Sequence, residues 1–286
     1  MAIRTDLAME AKALWEQSAG KTTRLQGVTA RERMTGGFAV TSVEILNRQG
    51  EQALGKPAGT YVSVELPSQE HDPRRPAQAV AQELRQLMAL GPKDSVLVVG
   101  LGNEAVTPDA LGPKTAAGLF LTRHLIEHLP EYFGGCRSVS AVTPGVLATT
   151  GIESIEVVRG ACAHVRPDCV LCIDALAAGA PERLCNTIQM TDTGIVPGSG
   201  VGNRRASFQK KTLGVPVFSI GVPTVVDAAS LNAESGGTPE ALIVTPRDID
   251  AQIHFLSAVL SDAINLALHP GFTHEDFAQF VSFPQS

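Results

Sequence analysis

The chain is predicted to be an α/β protein whose parallel central sheet is covered by helices on both faces. Short apolar runs recur at Val96–Gly100, Val139–Val142, 170–173 and 215–220, and stretches of helical periodicity separate them, notably 112–128 and 154–166. The runs are apolar throughout rather than alternating, as strands buried on both faces require. Together these features predict an α/β/α sandwich with a mainly parallel central sheet. Residues 76–286 form its core and 1–75 an N-terminal helix and β hairpin elaboration of one peptide-chain domain, since no repeat, linker or low-complexity tract divides the 286 residues.

Each element has its own signal. Residues 4–20 carry Leu7, Ala11 and Leu14 at helical spacing. In 60–66, Val62, Val64 and Leu66 alternate with Tyr61, Ser63 and Glu65, the period of a strand with unlike faces, and 38–46 is its expected partner. Pro76 suits a first helical turn, and Val80, Leu84, Leu87 and Met88 form a stripe that stops at Gly91-Pro92. After the alternating core, Pro246 opens a long helix bearing Ile249, Ile253, Leu256, Leu260 and Ile264, which His269-Pro270-Gly271 closes. Thr273 and Asp276 have the spacing of a capping box for a last short helix.

Composition narrows the function. A formal charge of −6 and a pI near 5.7 leave no basic footprint for a polyanionic backbone, so direct nucleic-acid binding is not expected. The first residues reach Arg4 and Asp6 without an apolar segment, and no run is read as long enough to span a bilayer, so no membrane partner is expected. Five cysteines, odd in number and sparse, fit a reducing compartment, and the cytoplasm is the expected location. Cys169 and Cys172 form a CxxC inside an apolar strand, where residues three apart face opposite sides, so they read as buried thiols rather than as a metal or redox pair.

Ligand sites of open α/β sheets lie beyond the carboxyl ends of the strands. Two aspartates fall there: Asp109, near the start of a helix in the loop after Val96–Gly100, and Asp174, directly after 170–173. On neighbouring strands, like charges ~3 Å apart cannot both ionise comfortably, so the pair would share a proton. One carboxylate would take a proton from water while its protonated partner donates to a carbonyl; alternatively the pair would hold a metal. Each residue also has a plain structural reading, Asp109 as a helix cap and Asp174 as a turn former at a strand end. The glycine-rich loop 191–205 would line a cleft or form a surface loop, and 221–227 would make a further loop wall, with Asp227 as a reserve carboxylate. Asn103 and Thr107 on the first loop, and Gly198, Ser199, Gly200, Asn203 and Arg204 on the glycine-rich one, are candidates to bind substrate or support the pair.

Other motifs fail on their own geometry. Gly100 and Gly102 lack the third glycine of a dinucleotide fingerprint, and no Walker lysine follows. Ser199 lacks glycines two residues away on either side, as a nucleophile elbow needs. His124-Leu125-Ile126-Glu127-His128 has the form of a zinc-peptidase motif but falls at the far end of the helix expected over 112–128, about 24 Å from the strand ends. No cofactor and no metal are expected.

Several motifs run in order across nearly the whole chain: Ile3-Arg4-Thr5-Asp6-Leu7-Ala8, the Leu-Gly-Asn and Thr-Pro-Asp-Ala-Leu-Gly of 100–112, Asp174-Ala175-Leu176-Ala177-Ala178, Pro197-Gly198-Ser199-Gly200-Val201-Gly202-Asn203-Arg204 and Gly221-Val222-Pro223-Thr224-Val225-Val226-Asp227. By these the chain resembles the spore germination protease family. The resemblance implies an endopeptidase that degrades small acid-soluble spore proteins during germination, by an atypical aspartic mechanism whose catalytic residues fall on Asp109 and Asp174. It also implies a fold related to hydrogenase maturation proteases and a homotetramer in the spore core. Family members are made as inactive precursors with a pro-segment ahead of the Arg-Thr-Asp motif. Three residues precede Arg4 here, so the expectation is a nearly absent pro-segment or a different control. The connection 232–241 is also short for the family.

Overall fold

The computed structural model describes residues 5–19, 25–67, 70–198, 206–228 and 242–281. Among the described residues nine strands build one sheet: β1 Val28–Thr35, β2 Phe38–Ile45, β3 Gly59–Glu65, β4 Val96–Gly100, β5 Val139–Val142, β6 Cys169–Ala178, β7 Thr187–Thr191, β8 Val217–Asp227 and β9 Ile243–Val244. Their order is β1-β2-β3-β7-β8-β6-β4-β5, with β9 on the far end of β8. The pairs β8·β6, β6·β4 and β4·β5 are parallel, whereas every pair on the β1 side is antiparallel.

The expected mainly parallel sheet is therefore a mixed one. Sequence reading missed β7, which lies antiparallel between β3 and β8 and fuses the N-terminal hairpin to the parallel strands. Its Ile188 and Met190 alternate with Thr187, Gln189 and Thr191, so the strand period is present over these five residues, all of which are buried. The expected partnership of β2 with β3 is observed, in antiparallel register from Ala39 opposite Glu65 to Ile45 opposite Gly59.

Helices cover both faces. On one, Val98, Leu171, Ile173 and Ile220 pack under the helices Arg74–Met88, Leu111–Ala117 and Ile249–Leu268. On the other, Leu97, Val99, Val170 and Cys172 meet Ile155 and Val158 of the helix Ser154–Val165. The two thiols of the CxxC follow this alternation: both are buried, Cys169 against the first face and Cys172 against the second. A third apolar cluster joins the helix Ala8–Ala19 to Val43, Ile45 and Tyr61 of the hairpin.

Two readings along the chain are revised. The helix expected over 112–128 breaks at Gly118, resuming at Arg123–His128. Buried Asn265 satisfies the break, accepting from Phe120 N at 2.8 Å and donating to Gly118 O at 3.0 Å. Helix Ile249–Leu268, against expectation, is long and apolar enough to cross a membrane, with a mean hydropathy of 1.3. Most of it is core: Ile253, Leu256, Leu260 and Ile264 are fully buried, each worth about 1.5–3 kcal/mol. The last helix, His274–Val281, opens on the expected box, with Thr273 N and Oγ1 both donating to Asp276 Oδ2 at 2.7 and 2.8 Å.

Candidate active site

Beyond the end of β4, β6 and β8 run on together, with β9 joining the far end of β8. Sequence reading ended them at residues 173 and 220, since an aspartate and a Gly-Val-Pro normally stop a strand. Pro223 is tolerated because β8 bulges beside it: Leu176 and Ala177 of β6 pair with Pro223 and Val225, leaving Thr224 as the extra residue, and a proline has no ladder N–H to lose at a bulge. Asp174 thus lies inside β6, opposite Gly221 of β8, one residue past the last β4 pairing of Gly100 with Ile173. Residues 221–227 do wall the crevice, as strand rather than as loop.

Asp109 arrives from the other side. After β4 the chain makes the 3-10 turn Thr107–Asp109 and enters the helix Leu111–Ala117. Its Oδ2 accepts the backbone N–H of Asn103 at 2.8 Å, closing the loop on itself; the carboxylate does not cap the helix. Glycines permit this fold-back. A Cβ on Gly102, where φ is +117°, would lie 2.0 Å from the Asp109 carbonyl oxygen, and one on Gly112 would lie 2.1 Å from Leu101 O. Thr224 Oγ1 of β8 donates to Pro108 O at 2.7 Å, tying the turn to the strand pair.

The two carboxyls share a cleft of about 440 Å³, which Val106, Leu147, Ile155, Phe208 and Ile243 make largely apolar. Asp174 also lines a second, more polar cavity of about 240 Å³ with Lys56, Tyr61, Gln189, Thr191 and Thr193. Their environments differ. Asp174 is 5% exposed, and burial, then the charges of Asp109 and Asp6, push its carboxyl well above the usual carboxylate range. Half-buried Asp109 is also raised by desolvation, while the Asn103 N–H opposes that by favouring its ionised form.

The other candidates are less uniformly placed. Gly198 lines both cavities. Asn103 contributes its backbone, its side-chain Oδ1 accepting from Ala105 N at 3.1 Å to shape the turn. Thr107 supplies a carbonyl to Ala110 N and borders neither cavity, and Asp227 ends β8 opposite Ile243. Ser199, Gly200, Asn203 and Arg204 lie outside the described residues. His124 and His128 are exposed on the short helix Arg123–His128, and neither lines either cavity. Among the described residues no three His, Cys, Asp or Glu side chains gather as a metal site.

Three residues at the cleft were not anticipated: Asp6, which lines both cavities, and Lys56 and Gln189 behind it. Asp6 sits in the Arg-Thr-Asp motif, so its position was visible, but its contact with β6 spans 171 residues. Nothing local signals such a contact.

A three-layer α/β protein with two carboxyls of raised pKa on a shared cleft has the layout of an acid–base hydrolase. The comparisons with known proteins define the class as a peptidase. The family model described as germination protease matches residues 5–236, and the chain belongs to that family. It is 42% identical to a germination protease of Caldanaerobacter subterraneus subsp. tengcongensis, over 98% of both chains. A germination protease of Clostridium tetani is 39% identical over 99% of this chain and all of its own. One from Bacillus velezensis is 47% identical, over 82% of this chain and 66% of the relative.

Proposed function

We propose that this peptidase is an endopeptidase of spore germination that hydrolyses small acid-soluble spore proteins with Asp109 as general base and Asp174 as general acid. The asymmetry of the two carboxyls carries the assignment. Asp174 is buried beside other carboxylates, which favours its protonated form; Asp109 is more open and accepts an N–H that stabilises its charge.

Asp109 takes a proton from water as the water oxygen attacks the peptide carbonyl carbon, and Asp174 donates its proton to the carbonyl oxygen. When the tetrahedral intermediate collapses, the carbon–nitrogen bond breaks, Asp109 returns its proton to the leaving nitrogen, and Asp174 recovers one from the intermediate's hydroxyl. Atoms and charge balance over the cycle. The family resemblance further supports a homotetramer, a location in the cytoplasm of the forespore or spore core, and kinship of the fold with hydrogenase maturation proteases.

The test is cleavage of a purified small acid-soluble spore protein by wild type, Asp109→Asn and Asp174→Asn, with and without a strong chelator. Chelator-resistant cleavage lost in both variants supports the pair. Chelator-sensitive cleavage restored by a defined metal would make the carboxyls ligands, and full activity in either variant removes that residue from the mechanism.

A further inference from the structure

The cleft that holds Asp109 and Asp174 has a wall that the acid–base chemistry does not use. Most of the large apolar side chains left exposed among the described residues gather at it. Val106, Leu147 and Ile243 line the cleft while 48%, 36% and 54% exposed, and Ile152, Leu242 and Val244, exposed as well, adjoin lining residues in the chain. Apolar side chains scattered singly over a surface are ordinary, whereas a gathered set beside a cavity marks a surface that something else covers.

Three separate segments bring this rim together, and each is held by hydrogen bonds of its own. Val106 N donates to Asn103 O at 3.0 Å in the loop after β4, and Ile243 pairs with Asp227 of β8. Leu147 opens the helix Leu147–Thr150, and Ser154 Oγ ties the chain beyond it to Gly145 O at 2.7 Å. The buried part of the lining, Ile155 and Phe208, forms the floor, and Phe208 exchanges both backbone hydrogen bonds with Ile195, at 2.8 and 3.0 Å. The hollow is thus built before anything enters it, so filling it costs little ordering of the protein.

The occupant follows from the neighbours. The carboxyls that would flank a scissile amide open into the same cleft, whose volume of about 440 Å³ lies within the roughly 300–1,000 Å³ of ordinary ligand pockets. A charged side chain seated against this wall would be stripped of water beside apolar carbon, while an aliphatic or aromatic one gains by leaving water.

We infer that Val106, Leu147, Ile243, Ile155 and Phe208 form a specificity subsite that seats one bulky apolar side chain of the substrate beside the bond cleaved. The inference rests on the Asp109–Asp174 reading above and adds to it the choice of where along a chain the enzyme cuts. Alanine or a charged residue at that position leaves the rim uncovered and makes a poor substrate.

The bond cut in a small acid-soluble spore protein is located by mass spectrometry, and peptides spanning it are made with Ala, Leu, Phe or Lys at each position flanking the bond. At one of these positions kcat/KM should be at least about 10-fold higher for Leu than for Ala, with Lys lowest. Leu147→Ser combined with Ile243→Ser, both at exposed positions, should bring that ratio most of the way to one. Ile155→Ala, which deepens the floor, should instead move the preference from Leu towards Phe. A Leu-to-Ala ratio near one at both positions overturns the proposal, and so does a ratio that the double variant leaves as it was. Failure of the carboxyl pair would show differently, as wild-type cleavage by Asp109→Asn or Asp174→Asn, with the ratio still there to be read.

Discussion

The backbone N–H of Asn103 donates to Asp109 Oδ2 at 2.8 Å, so the loop that delivers this carboxylate also steadies its charge. Asp109 must be ionised to act as base, and burial raises its pKa. Activity should therefore fall as pH drops through a value above the ordinary carboxylate one, and Asp109→Asn should lower kcat by about 10²–10⁴-fold with little change in KM. Steady-state kinetics across pH check both.

Asp174 should show the opposite of a stabilising ion pair. Its folded-state pKa lies well above the unfolded value, so between the two the folded chain holds a proton that the unfolded chain has released. Stability is then lost as pH rises through that window. Asp174→Asn, which keeps an acceptor for the Ala175 N–H, should melt at the same temperature as wild type or higher at neutral pH. Below about pH 3, where both states are protonated, the difference should vanish. Thermal melts at the two pH values would show it.

Gly102→Ala should damage fold and site together. The substituted residue would have to hold φ +117° with its Cβ 2.0 Å from the carbonyl oxygen of Asp109. A loss of more than about 2 kcal/mol is expected in urea unfolding, with cleavage reduced even where the protein remains folded.

His269 should make the protein acid-sensitive. It is 3% exposed among Phe120, Phe272 and Phe277, and burial lowers its pKa to about 4. Below about pH 6.5 the unfolded chain takes up a proton that the folded one refuses. Stability on the order of 3 kcal/mol should disappear as pH falls from there towards 4. His269→Phe should remove that slope, read as the difference between the two proteins' denaturation midpoints across pH.

What was legible in the sequence was local. The helix Arg74–Met88, strands β4 and β5 and the Thr273–Asp276 box all carry their period or cap within a few residues. The convergence of Asp109 and Asp174 on one edge was readable because each follows an apolar strand. What escaped needs partners far along the chain. Pro223 stays in β8 because that strand bulges beside it at Thr224, the helix break at Gly118 depends on Asn265, and Asp6 reaches the cleft through contacts with β6 and β7. A rule that reads windows of ten residues sees a terminator, a continuous helix and an N-terminal turn.

The position of β7 has a bearing on solubility. It offers one edge to β3 and the other to β8, through five paired positions on the first side and three on the second. A substitution that melts β7 would uncover two raw strand edges at once, each with apolar neighbours and unpaired amides that template aggregation. The strand joining the hairpin to the parallel core is thus also the protein's guard against sticking to copies of itself.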